Sequence, residues 1–120
     1  MSIFGLQLLS TDTQKVIPFY SDLFGWDLKA HPMGFHHITF EEDKTPKKRG
    51  CTIMPHPMPG LPSSWLAYIE VSDIMSVITK TIPLGGQVIQ LPLPSPLGGL
   101  FAVICDPAGA VLGVFQKLSD

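Results

Sequence analysis

The chain has few charged residues and no long apolar run. Only 15% of its residues are charged, whereas 45% are hydrophobic, and this balance is typical of a globular protein with a packed core. No apolar stretch approaches the roughly 18 residues of a membrane span. The formal net charge of −2 provides no electrostatic attraction for nucleic acid or for an anionic membrane. We therefore expect neither nucleic acid nor a membrane as a partner, and one globular domain over residues 1–120.

Cysteine is also scarce. Cys51 and Cys105 lie far apart, outside any Cys-x-x-Cys arrangement, and each falls in an apolar, strand-like segment where buried thiols are common. The first five residues contain no charged lead and no cleavage site, so they do not have the pattern of a secretory signal peptide. These features predict a cytoplasmic protein with reduced cysteines.

The order of predicted elements is the same in both halves of the chain. In each half, an apolar strand is followed by an Asp that can cap a helix, then by the helix, a glycine and further strands. The capping residues Asp12 and Asp73 lie 61 positions apart (73 − 12), and so do the glycines Gly25 and Gly86 (86 − 25). Two landmarks with the same offset indicate an internal repeat.

The repeat predicts the fold. Each repeat has the order βαβββ, and the two modules cover about residues 1–58 and 64–120, on either side of a proline-rich linker. Neither module can cover its own sheet. We therefore predict an α+β domain in which two βαβββ modules form one curved mixed sheet, with the helices outside and a concave cavity inside.

Four segments carry a resemblance to a known family. They are Phe19-Tyr20-Ser21-Asp22-Leu23-Phe24-Gly25-Trp26, Val71-Ser72-Asp73-Ile74, Leu84-Gly85-Gly86 and Asp106-Pro107-Ala108-Gly109. They resemble the signatures of the vicinal oxygen chelate superfamily, which includes glyoxalases, bleomycin-resistance proteins and extradiol dioxygenases. The resemblance covers nearly the whole chain and implies the same two-module fold, a small-molecule ligand and a homodimer. It implies much less about the chemistry, because one fold hosts many activities.

The resemblance also gives the positions of a metal site. In the metal-dependent members, one residue from each of four strands binds the ion, and the equivalent positions here are Gly5, Met54, Leu66 and Gly113. A hard divalent ion needs carboxylate or imidazole ligands, and a thioether is better suited to copper(I). We therefore predict no metal and no cofactor. Gly113, inside the last predicted strand, marks either a bulge or a close approach, and its missing side chain leaves room above the sheet.

The alternation of side chains along strands places a mostly apolar set of residues on the concave face. The candidate ligand-binding residues are Gln7, His37, Thr52, Met54, His56, Leu66, Tyr68, Glu70, Val111, Gly113 and Phe115. Because His36 and His37 are adjacent, only one of them can point to this face, and we favour His37. An apolar face with a few polar groups is the usual composition of a small-molecule site; the alternative is that these side chains fill the space.

These observations favour a metal-free binding protein of the glyoxalase/bleomycin-resistance type over a lyase of the glyoxalase I type. The alternative is a lyase, an isomerase or a dioxygenase-type enzyme. It would have either metal ligands at other positions or a metal-free acid/base mechanism that uses His37, His56 or Glu70. A third possibility is an interaction module with a vestigial pocket. No catalytic residue is assigned, because the sequence shows no nucleophile with an evident base and no phosphate-binding glycine loop.

Overall fold

The computed structural model describes residues 2–39, 51–56, 60, 62–95 and 98–118. Its helices and strands follow the order βαβββ twice. They are β1 Ser2–Ser10, α1 Thr13–Phe24, β2 Asp27–Ala30, β3 His36–Thr39, β4 Thr52–Pro55, β5 Ser64–Glu70, α2 Ile74–Thr81, β6 Gln87–Pro94, β7 Leu100–Cys105 and β8 Val111–Gln116. The predicted α+β class is confirmed.

The chain divides into two compact units. One comprises residues 6–65, and the other comprises residues 66–120 together with residues 1–5. We call them the N-terminal unit and the C-terminal unit. The bounds predicted for the two modules from the sequence, about 1–58 and 64–120, stay a prediction.

The N-terminal unit packs α1 against one face of a mixed sheet. The strand order is β2-β3-β4-β1, in which β1 and β4 are parallel and the other neighbours are antiparallel. Leu8, Ile38, Cys51 and Ile53 form the buried core, and Tyr20 of α1 packs against it. The strand residues that alternate with these core residues therefore point away from α1.

The sequence predicts both ends of α1 correctly. The Oδ1 atom of Asp12 accepts the backbone N–H of Lys15 at 3.2 Å, which satisfies one of the free donors at the helix N-terminus. Gly25 follows the last turn with φ of 71°, a left-handed conformation that glycine adopts without a steric penalty. The helix continues through Pro18, although proline removes one intrahelical hydrogen bond.

The C-terminal unit has the same construction. Its strand order is β5-β8-β7-β6, in which β5 and β8 are parallel. Val71, Ala102 and Val114 form the buried core together with Ile74 of α2. Asp73 caps α2 by accepting the backbone N–H of Ser76 at 3.2 Å. The residues of β5, β7 and β8 that alternate with this core point away from α2.

Gly86 is required for a different reason from Gly25, the glycine at the equivalent position of the first half. Gly86 is not in the left-handed region; the adjacent Gly85, with φ of 98°, is. A Cβ atom at Gly86 would lie 2.5 Å from the carbonyl oxygen of Cys105, closer than non-bonded atoms approach. Gly86 is therefore required by the close passage of β7, whereas Gly25 is required by the turn that ends α1.

Among the residues that the structure describes, no helix combines the length and the apolar character needed to cross a bilayer.

Candidate ligand-binding site

The N-terminal unit brings three of the predicted site residues into one row. Gln7 of β1 is the register partner of Thr52 of β4, and Thr52 is the partner of His37 of β3. Register partners point to the same face of a sheet, and here the opposite face holds Leu8 and Ile53 against α1. The row therefore lies on the helix-free face, together with Met54 two residues further along β4.

The side chain of Gln7 joins this row by hydrogen bonds. Its Nε2 atom donates to Oγ1 of Thr52 at 3.1 Å and to Sδ of Met54 at 3.0 Å. Thr52 is only 5% exposed, so the amide satisfies a hydroxyl that has lost most of its contact with water. These bonds fix the orientation of the Gln7 amide and make it a preorganised polar group on a buried part of the face.

His36 and His37 point to opposite faces, as residues next to each other on a strand must. His36 is the register partner of Ile53, which lies on the α1 side, and His37 is the partner of Thr52. His37 therefore lies on the helix-free face, where we favoured it. The Nδ1 atom of His36 is buried and has no hydrogen-bond partner among the described residues.

His56 lies one residue beyond β4. Its backbone N–H donates to the carbonyl oxygen of Ser10 at 2.8 Å, which holds the end of β4 beside the end of β1. The residue is half-buried.

The helix-free face of the C-terminal unit is mostly apolar. Tyr68 of β5 is the register partner of Gly113 of β8, and Glu70 is the partner of Phe115. These residues alternate with the core residue Val114 and with Ile69, which packs against the core, so they lie on the face opposite α2. Leu66, Tyr68 and Phe115 are 2%, 7% and 5% exposed. Glu70 is half-buried and Val111 is exposed. Side chains therefore fill most of this face.

The ring of Tyr68 occupies the space above Gly113. A Cβ atom at Gly113 would lie 2.7 Å from Cζ of Tyr68 and closer still to Cδ1 and Cε1. Strand β8 pairs with β7 at every residue from Val111 to Gln116, so Gly113 does not form a bulge. Our expectation of free room above this glycine is wrong: Gly113 is required because an aromatic ring lies directly on its backbone.

Burial in this position raises the pKa of the Tyr68 hydroxyl from 10.0 to about 12. The charged phenolate is disfavoured because it would lose its hydration. Tyr68 is therefore neutral at physiological pH.

The residues at the four positions of a superfamily metal site do not fit a hard divalent ion. Gly5, Leu66 and Gly113 have no ligand atom in their side chains, and Sδ of Met54 already accepts a hydrogen bond from Gln7. Nowhere in the part of the chain that the structure describes do three His, Cys, Asp or Glu side chains come together as a metal site.

A cavity that the sequence did not predict lies in the C-terminal unit on the α2 side of the sheet. Its volume is about 520 Å³, and its walls come from α2, the turn after it and residues 104–107. None of the candidate ligand-binding residues lines it. Its walls include Gly86, Asp106 and Pro107, which belong to the segments that carry the family resemblance, but a shared segment alone does not indicate a cavity.

Comparison with known proteins places this fold in a class. No protein-family model matches the chain. It is 31% identical over 114 residues to the putative glyoxylase CFP32 of Mycobacterium bovis, an alignment that covers 92% of this chain and 44% of the relative. The chain thus spans less than half the length of the curated relatives it matches.

Two solved structures share the fold. The Mn(II)-bound glyoxalase from Novosphingobium aromaticivorans is similar with a TM-score of 0.67 and 13% identity, over 98% of this chain and 39% of that chain. A glyoxalase/bleomycin resistance protein/dioxygenase superfamily member from Vibrio splendidus has a TM-score of 0.62 and 16% identity, over 95% and 97% of the two chains. The class is therefore that of glyoxalase-like α+β proteins. These findings support the vicinal oxygen chelate superfamily, which the sequence motifs predicted.

Proposed function

We propose that this protein binds a small organic molecule on the helix-free face of its N-terminal unit, without a metal ion. The observation that carries the ligand-binding part is the polar row of Gln7, His37 and Thr52. The metal-free part rests on the pair Tyr68 and Gly113 in the C-terminal unit. At a position where a metal-dependent member supplies a ligand, this chain has a glycine covered by an aromatic ring. The same replacement of ligand chemistry by packing recurs at Leu66, which is 2% exposed.

The proposed site is a row of polar side chains in the N-terminal unit. Gln7, His37 and Thr52 form a row that provides an amide, an imidazole and a hydroxyl beside the side chain of Met54. A few fixed polar groups among apolar side chains is the composition that gives small-molecule sites their orientation and specificity. The resemblance to a putative glyoxylase supports a small organic metabolite or drug as the class of ligand.

The proposal is tested by thermal unfolding of the wild-type chain against a panel of metabolites and antibiotics, in buffer with a chelator. A ligand present at about 100 times its Kd stabilises the folded state by about 2.7 kcal/mol, which raises Tm by several degrees for a domain of this size. The Gln7→Ala variant should bind the same ligand roughly tenfold more weakly, because one fixed hydrogen-bonding group is lost.

The matched control is Gln14→Ala, which removes an exposed amide from α1 in the same unit and should leave the affinity unchanged. Absence of a Tm shift with every compound would contradict the proposal. So would equal effects of the two glutamine variants on affinity.

The alternative is a metal-free enzyme of the same superfamily. The observation that favours it is the placement of His37 beside Thr52 on the helix-free face, because an imidazole can both accept and donate a proton. Turnover of a panel ligand that persists with a chelator and is lost in His37→Gln would establish it. Binding without turnover supports the first function.

We also propose a cytoplasmic location. Cys51 and Cys105 form no disulfide, which is the usual state of cysteines in a reducing compartment.

A further inference from the structure

The cavity beside α2 is independent of the helix-free face of the N-terminal unit and of the function proposed for it. We call it the α2 groove. It has a volume of about 520 Å³, which lies within the range of about 300–1,000 Å³ that is typical of small-molecule sites. Val77 and Ile104 line it and also pack against the buried core of the C-terminal unit. The groove therefore has an apolar floor supported by the core.

One wall of the groove is held in place by a close backbone contact. A Cβ atom at Gly86 would lie 2.5 Å from the carbonyl oxygen of Cys105 and 3.1 Å from Cγ2 of Thr81, and all three residues line the groove. This contact fixes the end of β7 next to the end of α2. The spacing between the two elements, and with it the width of the groove, is set by the backbone.

The rim of the groove has more negative than positive side chains. The charged side chains that line the groove are two carboxylates, Asp73 and Asp106, and one ammonium group, Lys80. One oxygen of each carboxylate is already used: Oδ1 of Asp73 caps α2, and Oδ1 of Asp106 accepts the N–H groups of Ala108 at 2.8 Å and Ala110 at 2.9 Å. In the part of the chain that the structure describes, neither Oδ2 atom has a hydrogen-bond or ion-pair partner. The rim thus carries an excess of negative charge with two free acceptor oxygens.

We infer that the α2 groove binds an organic cation with an apolar body. The apolar body would lie on Val77 and Ile104, and the ammonium group would pair with Asp73 or Asp106 at the rim. Charge complementarity favours a cation over an anion, since the groove is lined by two carboxylates and by only one lysine side chain. The volume and the apolar floor favour a compact organic molecule over a hydrated metal ion, which would need several oxygen ligands.

The inference is tested with the full chain by two-dimensional amide NMR titration. The probe is 4-phenylbutylammonium, and the comparison ligands are neutral 4-phenylbutanamide and anionic 4-phenylbutyrate. Ligands of this size bind with Kd values on the order of millimolar, which such titrations measure. We expect the cation to shift the amide signals of Ser76, Lys80 and Ala108, and to bind more tightly than the neutral ligand and still more tightly than the anion.

The variants Asp73→Asn and Asp106→Asn remove charge but keep an acceptor for the cap and for the turn. Each should weaken binding of the cation roughly twofold to fivefold, as expected for an exposed ion pair, and leave binding of the neutral ligand unchanged. Lys80→Gln should strengthen binding of the cation by a similar factor. The control is Asp12→Asn, the equivalent capping residue of α1, which should change neither affinity.

Three outcomes would overturn the inference. They are equal affinity for all three ligands, signal shifts that map away from the α2 groove, and equal effects of the Asp73 and Asp12 variants. Because Gln7 does not line the groove, Gln7→Ala should not change binding of the probe. A failure of the function proposed for the helix-free face of the N-terminal unit is thereby distinguished from a failure of this site.

Discussion

The pair Tyr68 and Gly113 shows how a single glycine determines the character of a face. The ring lies on the backbone of β8, in the space that any larger residue at position 113 would need. The sequence indicates that Gly113 is unusual, because glycine is unfavourable inside a strand. It does not indicate whether the space above it is empty or filled, since that depends on the rotamer of a residue 45 positions away (113 − 68). The structure shows that the space is filled.

Gly113→Ala should destabilise the protein by about 1–3 kcal/mol, because the added methyl group forces the buried ring of Tyr68 out of its position. Urea denaturation gives the free energy of unfolding. In the background of Tyr68→Ala the same substitution should cost far less, since the obstructing ring is gone, and the two changes should show a coupling energy of about 0.5–3 kcal/mol. Additive effects of the two substitutions would contradict the contact.

The raised pKa of Tyr68 has a consequence for stability at high pH. Between 10.0, where an unfolded tyrosine ionises, and about 12, the unfolded chain releases this proton and the folded chain keeps it. The free energy of unfolding should therefore decrease by about 1.4 kcal/mol per pH unit from this group over that range.

Tyr68→Phe removes this contribution, so its unfolding free energy should decrease less steeply above pH 10 than that of the wild-type chain. Tyr20→Phe, which changes the other tyrosine, serves as the control. Identical pH profiles of the wild-type chain and Tyr68→Phe would show that Tyr68 ionises normally.

At the scale of elements, the predictable features are the ones that have local causes. Asp12 and Asp73 cap their helices as expected, because a capping carboxylate needs only a backbone N–H three residues later. The sequence shows that Gly86 recurs at the offset of the repeat but not why a glycine is needed there. The need comes from a non-local contact, because a Cβ atom at Gly86 would meet the carbonyl oxygen of Cys105 on strand β7. The α2 groove depends on the same non-local contact, and for that reason no pattern predicted it.

Pro18 lies inside α1, where it removes one helical hydrogen bond and restricts the preceding turn. Pro18→Ala should therefore stabilise the protein by about 1–3 kcal/mol in urea denaturation. Pro83→Ala, in the turn after α2, is the control and should lower stability by less than about 1 kcal/mol through the greater freedom of the unfolded chain. A Pro18→Ala variant no more stable than wild type would mean that proline is accommodated without cost.

At the scale of the whole molecule, we propose that the chain forms the homodimer that the superfamily resemblance implies. Phe19 and Leu23 lie four residues apart on one face of α1, and with Phe24 they are 56%, 58% and 56% exposed. Adjacent exposed apolar side chains of this size are typical of an interaction surface. A second copy of the chain is the partner to which we assign this surface.

Sedimentation velocity tests this assignment. The wild-type chain should sediment as a dimer, and the double variant Phe19→Ser, Leu23→Ser should sediment as a monomer with an unchanged far-UV circular dichroism spectrum. Leu84→Ser, which changes a residue 76% exposed in the C-terminal unit, should remain dimeric. A monomeric wild-type chain, or a dimer that the double variant preserves, would reject the surface.

The repeat of capping residues and glycines was enough to predict the α+β class and the order βαβββ, because those landmarks recur at one offset. Alternation patterns along the predicted strands put Gln7 and Thr52 on one face and left His37 as the favoured one of two adjacent histidines; the structure now supplies the register of these strands. The patterns could not show that Gln7 binds Thr52 and Met54, since hydrogen bonds between β1 and β4 join residues 45 and 47 positions apart.

The central proposal is that this glyoxalase-like protein binds its ligand without a metal ion, and metal content tests it most directly. The protein should be purified without chelators and without a metal-affinity column, and its first-row transition metals measured by inductively coupled plasma mass spectrometry. We predict far less than one ion per chain, because Gly5, Leu66 and Gly113 have no ligand atoms and Tyr68 covers the last of these positions. A stoichiometric amount of manganese, iron, nickel or zinc would contradict the account.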